Sequence, residues 1–324
     1  MTAAPIPLEA IRAARDRIAG SVLRTPLTRL ALEDAPAEIW LKLENLQPIG
    51  SFKLRGASNA LALAVERGGR AALARGVWTA SAGNMAQGVA FEARRLGVPC
   101  AVVAPDHAPA TKLAAIARLG ARVEKVPFAE WFQILATRRH PGMEGLFVHP
   151  VSDEAVMAGN GTIGLEILED LPEVDAIVIP YGGGGLSTGI ASAVRALEPR
   201  TRIFACEVET AAPLAAALAA GQPVKIEYRR SFVDGMGGPF VLEDMWPRVR
   251  ALLDGSLVVT LAEIAAAIRT LAERQRVIAE GAGAAAVAAA LAGRAGAGKV
   301  ACVVSGGNLD AAKLATILGG GIPD

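Results

Sequence analysis

Glu44-Asn45-Leu46-Gln47-Pro48-Ile49-Gly50-Ser51-Phe52-Lys53-Leu54-Arg55-Gly56-Ala57 decides how the chain is read. A strand pattern runs into it, with Ile39, Leu41 and Leu43 alternating with Trp40, Lys42 and Glu44. Pro48 and Gly50 break that pattern. Ser51 is placed to cap a helix whose apolar positions are Leu54, Ala57, Ala60, Leu61 and Val65. Lys53 therefore falls in the first turn of that helix, where the helix dipole disfavours an ammonium. A lysine that must be neutral to attack a carbonyl gains from such a position. The other reading of the same position is a solvated lysine beside a loop.

The surrounding chain has 324 residues, with 33 basic and 32 acidic side chains and 52% hydrophobic residues. That suits a soluble globular protein of two lobes with an ample core. The balanced charge gives no electrostatic case for nucleic acid or an anionic membrane as partner. Cys100, Cys206 and Cys302 lie far apart, which points to reduced thiols and a cytoplasmic location. His107, His140 and His149 form no ligand cluster with a cysteine, so a zinc site is not expected. The start, Met1-Thr2-Ala3-Ala4-Pro5, lacks the basic and apolar regions of a signal peptide. The small-residue run from Gly281 to Gly293 is too short and too alanine-rich to span a bilayer.

Outward from Lys53 the pattern repeats. Residues 7–19 read as an amphipathic helix with Leu8, Ile11, Ala14 and Ile18 on one face. Thr25-Pro26-Leu27 is extended, because a residue before proline avoids the helical region. Strands are expected at Val77–Ala80, Cys100–Ala104, Ala121–Val126, Val174–Pro180, Ile203–Val208, Leu257–Thr260 and Val300–Val304, most of them joined by helical patterns. This is the signature of parallel βαβ units, hence an α/β fold. A helix through Asp170 is expected after the motif His149-Pro-Val-Ser-Asp…Ala158-Gly-Asn-Gly-Thr162, and a single helix over 261–279. Residues 128–149 and 226–256 resist reading.

Three loops carry chemistry. Gly182-Gly183-Gly184-Gly185-Leu186 lies between a buried strand and a helix, so consecutive N–H groups can form an anion nest at a helix start. Its spacing fits neither the nucleotide P-loop nor the dinucleotide fingerprint, and a plain flexible turn is the alternative. Ser81-Ala82-Gly83-Asn84-Met85 opens a helix with donors suited to a carboxylate, unless Ser81 is only a cap. Ser305-Gly306-Gly307-Asn308 ends the last strand where glycine permits close backbone approach.

Together these segments resemble the fold-type II pyridoxal-phosphate (PLP) enzymes, and within them the threonine/serine dehydratases and serine racemases. The resemblance runs from Thr25 to Asp310. It implies an α/β fold like the tryptophan synthase β subunit, with two open αβα domains, mainly parallel sheets and the active site in the cleft. Residues 1–75 plus 151–324 would form the large PLP-binding domain, and residues 76–150 the small one. It implies Lys53 as the Schiff-base lysine, Phe52 packing on the cofactor ring, Asn84 at its phenolic oxygen and Gly182 to Leu186 at its phosphate. Ser305 would bond the pyridine nitrogen, and a hydroxyl there cannot hold that nitrogen protonated as a carboxylate would. Loss of a β-leaving group is then favoured over transamination. Ser81, Ala82, Gly83, Asn84 and Met85 match the substrate-carboxylate loop, and Glu280 would lie near the substrate side chain, unless it is an ordinary helix-cap acid.

Two positions depart from the family. Ala82 replaces the serine that serves racemases as acid/base on the face opposite the lysine, and Met85 replaces a common histidine. Alanine moves no proton, so elimination is expected over racemisation. Glu207 aligns with a metal-binding glutamate, but Pro213 falls where the family's aspartate stands, so no divalent site is expected. A chain ending at Asp324 leaves no length for the regulatory domain of biosynthetic threonine dehydratases. The implied activity is dehydration and deamination of L-threonine or L-serine to a 2-oxo acid and ammonia. Alternatives are a dehydratase for a bulkier or acidic 3-hydroxy amino acid, a serine racemase, or a non-catalytic PLP-binding protein. A homodimer or homotetramer is implied.

Overall fold

A computed structural model describes residues 4–324. Helix α1 (Leu8–Ile18) buries Ile11, Ala14 and Ile18. Strands β1 (Leu27–Arg29) and β2 (Glu38–Lys42) pair antiparallel, and a short turn over Glu44–Leu46 leads to α2 (Lys53–Gly68). Strand and helix then alternate through β3 (Val77–Ala80), α3 (Asn84–Leu96), β4 (Cys100–Pro105), α4 (Ala110–Arg118), β5 (Arg122–Val126), α5 (Phe128–Thr137) and β6 (Leu146–Phe147). Next come α6 (Glu154–Asp170), β7 (Ala176–Pro180), α7 (Gly185–Leu197), β8 (Arg202–Val208) and α8 (Pro213–Ala220). The chain closes with α9 (Trp246–Leu252), β9 (Gly255–Val259), α10 (Leu261–Thr270), α11 (Gly281–Leu291), β10 (Lys299–Val303) and α12 (Ala311–Leu318).

Two sheets result. One runs β1-β2-β10-β7-β8-β9 and the other β5-β4-β3-β6. Every pairing except β1 with β2 is parallel. Helices cover both faces of a parallel sheet, so its central strands are continuous apolar runs. Ala176 to Pro180 and Val300 to Val303 are accordingly buried throughout. In open sheets of this kind ligands collect beyond the carboxyl ends of the strands. The loops after β2, β3, β7 and β10 all leave from such ends. No helix of the described residues is long and apolar enough to cross a membrane. All three cysteines are free, with Cys206 and Cys302 buried and Cys100 partly exposed.

Helix α2 lies against α6, and α6 against α7, with almost no side chain between them. A Cβ on Gly159 would overlap the Arg55 carbonyl oxygen, and one on Gly189 the Met157 carbonyl oxygen. On the side of α2 away from the cleft, four charges are sealed in. Arg55 meets both carboxylate oxygens of Glu44 at 2.8 Å and those of Glu166 at 2.6 and 2.8 Å. Lys42 reaches Glu166 at 2.6 Å and the Thr25 carbonyl at 2.6 Å. Burial opposes each charge, yet the Glu44 and Glu166 contacts hold the guanidinium above its ordinary pKa, and Arg55 with Lys42 holds Glu166 below its own.

Several expectations are corrected. Lys42, read as one of the polar positions alternating with the apolar ones, is fully buried in this cluster. The segment Ala158 to Thr162 lies inside α6 rather than before it, with Asp153 as the cap accepting the Ala155 and Val156 N–H groups. The helix expected over 261–279 stops at Thr270, followed by a wide turn over Leu271–Gln275 and a left-handed Arg276 at φ +61°. Residues 128–137 form a helix whose Trp131 and Ile134 pack on Val103 and Val126.

Candidate active site

Lys53 is the first residue of α2. Phe52 occupies the cap position with helical φ and ψ, while the Ser51 hydroxyl accepts the Lys53 N–H at 3.3 Å. The loop before α2 is stitched to the loop after β10. Phe52 N–H donates to the Ser305 carbonyl at 3.0 Å and Gly307 N–H to the Gly50 carbonyl at 2.9 Å, while Ser51 pairs with Gly306. The Lys53 side chain is partly buried. Its Nζ donates to the Pro150 carbonyl at 2.8 Å and lies 5.2 Å from the centroid of the Phe52 ring. Burial pulls its pKa down to about 8, against the opposing charge of Glu280. Burial thus moves this amine toward its neutral form, which nucleophilic and base chemistry both need.

Beside it, the turn between β7 and α7 is the glycine loop. Gly184 sits at φ +96°, a conformation L side chains rarely adopt. A Cβ on Gly183 would lie 2.6 Å from the Val151 side chain, and one on Gly185 2.6 Å from the Val151 carbonyl oxygen. The turn's first backbone bond runs from Thr188 N–H to the Gly184 carbonyl at 2.8 Å. The N–H groups of Gly182 to Leu186 thus meet no protein acceptor among the described residues, an anion cradle at a helix start. The Leu186 side chain is in the core, so it can offer only its N–H.

Across the cleft, Gly83 caps α3 and the Ser81 hydroxyl accepts the Gly83 N–H at 3.3 Å. Ser81, Ala82, Gly83 and Asn84 are partly exposed there. The Met85 side chain is not; it is 1% exposed and packs with Ala57, Val89 and Val148, which leaves its backbone alone for any ligand. Asn84 is held at both ends, its Nδ2 donating to Glu280 at 2.9 Å and its Oδ1 accepting from Asn308 at 2.7 Å. Glu280 caps α11 and is buried. Burial raises its pKa to about 7, with Asp234 pushing the same way and Lys112 opposing. Lys112 on α4 pairs with Asp234, between α8 and α9, at 2.6 Å.

Residues 18–306 match the family described as pyridoxal-phosphate dependent enzyme. The chain belongs to that family. Among relatives of this PLP-dependent enzyme, an L-threonine ammonia-lyase of Thermotoga maritima is 40% identical over 98% of this chain and 79% of its own length. The catabolic L-threonine dehydratase of Escherichia coli is 36% identical over 97% of each chain. Maize serine racemase superposes with a TM-score of 0.88 at 33% identity, covering 97% of both chains.

The residues present fit PLP. A lysine amine of lowered pKa and a cradle of N–H groups without protein acceptors lie either side of the dipeptide Pro150-Val151, while Phe52 and Ser305 border the lysine. The sequence brings Lys53, Phe52, Ser305 and the glycine loop to one place, with Asn84 and Glu280 joined opposite. It missed Pro150, Val151 and Asn308. The His149-Pro150 motif was visible in the sequence, but nothing in it said which way a carbonyl would point. Glu207, considered for a metal, is buried and accepts the Leu214 and Ala215 N–H groups at 2.8 Å each and the Ser256 hydroxyl at 2.6 Å. Pro213 opens α8 and aims that helix start at the carboxylate.

Proposed function

We propose that this PLP-dependent enzyme is an ammonia-lyase for a small 3-hydroxy amino acid, L-threonine or L-serine, which it converts to a 2-oxo acid and ammonia. The observation that carries this is Lys53, a half-buried amine with a pKa near 8, held by one carbonyl beside an anion cradle. The names of the relatives favour threonine. Bound PLP supplies the electron withdrawal that lets the substrate's α-proton leave. The protein does the rest. Gly182 to Leu186 would hold the phosphate through backbone N–H groups, and Asn84 the ring oxygen. The Ser305 hydroxyl would donate to the ring nitrogen without protonating it. The loop Ser81-Ala82-Gly83 with the start of α3 binds the substrate carboxylate. Lys53 Nζ, once released, takes the α-proton from its own face as general base.

Ala82 offers no acid or base on the opposite face, which argues for elimination over racemisation. This reading takes residues 1–75 plus 151–324 as one domain and 76–150 as the other, and a cytoplasmic homodimer or homotetramer. The test is the absorption spectrum of the purified protein with and without L-threonine and L-serine, together with 2-oxo acid release. A borohydride-reducible visible band mapped to Lys53, with oxo acid formed from either amino acid, is expected. Turnover retained in Lys53→Ala overturns the assignment.

A further inference from the structure

The chain enters α6 through His149-Pro150-Val151-Ser152, and this short segment touches both halves of the site. Pro150 gives its carbonyl to Lys53 Nζ at 2.8 Å. Val151 packs directly beneath Gly183 and Gly185. What folds the segment is a side chain. His149 is 5% exposed, and its Nδ1 accepts the Val151 N–H at 3.1 Å and the Ser152 N–H at 2.8 Å, with the Ser152 hydroxyl at 3.2 Å. A ring nitrogen that accepts two amides carries no proton, so the hydrogen of the neutral ring sits on Nε2. Burial pushes the imidazole pKa down to about 4, with Arg138 and Lys53 acting the same way and Asp244 opposing. Burial and the two amides on Nδ1 thus both favour the neutral ring. Proline in the middle has no N–H and a fixed φ, so it contributes a rigidly placed acceptor and nothing else. The segment is anchored upstream by the Thr79 hydroxyl on the Val148 carbonyl at 2.8 Å and downstream by Arg138 on the Ser152 carbonyl at 3.0 Å.

We propose that His149 is a positioning residue for the lysine and for the phosphate cradle together. Its Nδ1 closes the 149–152 turn, and that turn sets the Pro150 carbonyl against Lys53 on one side and Val151 under the glycine loop on the other. The inference rests on Lys53 being the cofactor lysine. Without the closed turn, the Lys53 ammonium loses its acceptor and its pKa falls further, and the cradle loses its floor.

Three variants of the full chain separate this from simple packing. Asparagine places Oδ1 where Nδ1 stands, glutamine places its oxygen where Nε2 stands, and leucine removes the acceptor. Two readouts are taken: the pH dependence of Lys53 acylation in PLP-stripped protein, mapped by mass spectrometry, and the PLP dissociation constant. In His149→Leu and His149→Gln the acylation midpoint is expected to move down by roughly one pH unit and PLP affinity to weaken about tenfold, the scale of one hydrogen bond to a charged group. His149→Asn is expected to stay within about threefold of wild type on that scale. Equal behaviour of all three variants overturns the proposal. Should the leucine and glutamine variants fail to fold, ¹⁵N NMR of wild-type His149 decides. A neutral Nε2–H ring across pH 6–8 supports the proposal, and a proton on Nδ1 or a titration in that range overturns it. The NMR and acylation arms need no cofactor, so a wild-type Lys53 that forms no borohydride-stable PLP adduct sinks the functional reading separately.

Discussion

Lys53 and Arg55 stand two residues apart in the first turn of one helix, and their charges have opposite fates. Arg55 faces away from the cleft into a box of two acids and a second base, where its donors find carboxylates, the Leu23 carbonyl and the Thr162 hydroxyl. Lys53 faces the cleft, where one carbonyl receives it and the nearest acid, Glu280, is itself pushed toward neutrality. Enclosure is common to both places. What differs is the number of opposite charges enclosed with them, and that number decides whether a group is locked into its ionised form or poised between two forms. Burial with partners makes structure here, and on the proposed reading burial without them makes a reagent.

The contrast can be broken most sharply at its reactive end. Lys53→Ala is expected to lower oxo acid formation by roughly 10⁴-fold or more, since on the proposed reading it removes both the cofactor lysine and the base. Circular dichroism and thermal melting are expected to stay close to wild type, because no structural ion pair is lost. Arg55→Met should behave in the reverse way. It leaves Glu44 and Glu166 facing a single Lys42, and an uncompensated buried charge costs about 3–5 kcal/mol. Urea unfolding of the variant would show it. If the methionine variant is as stable as wild type, the Arg55 guanidinium is not what holds the two acids in their ionised form.

The next test uses pH. Glu280 has a folded pKa near 7 against an ordinary 4.5, so its stability contribution is fully present below about pH 4.5 and is lost as pH rises through about 7. Lys53 has a folded pKa near 8 against 10.5, so its contribution is present above about pH 10.5 and is lost as pH falls through about 8. Glu280→Gln should therefore flatten the stability profile between pH 4.5 and 7, by on the order of 3 kcal/mol, and deepen the alkaline limb, because Lys53 loses the opposing charge that holds its pKa up. The smallest effect is expected at the surface. Arg24 bridges Glu169 and Asp170, both at 2.6 Å, but its side chain is about half exposed. Arg24→Ala should cost at most about 1 kcal/mol.

The proposed reactive end of the comparison rests on patterns visible in the sequence, and the charge box does not. Lys53 at a helix start, four glycines after a buried strand and a serine before two glycines are local patterns, and local patterns survive without coordinates. The charge box joins Lys42, Glu44, Arg55 and Glu166 across more than a hundred residues, and alternation alone predicts Lys42 on a polar face. Pro150 escaped for a related reason, since the direction of a carbonyl is set by tertiary contacts. Residues 128–137 hid their helix because three aromatics crowd its start, and Phe128 stays exposed while Trp131 turns in. The stretch before α9 has little regular structure to find. Phe232, Val233 and Met236 enter the core from irregular backbone, which periodicity cannot report.

The bare contact among α2, α6 and α7 has one more consequence. Lys53 begins α2, the cradle begins α7, and α6 touches both at Gly159 and Gly189 with no compressible side chain between. On the proposed reading, the span from amine to phosphate is set by backbone thickness rather than by rotamers, as in a gauge block. Such a gauge selects by length. A cofactor homologue with one extra methylene in its phosphate arm would find the amine and the cradle each correctly made and too close together.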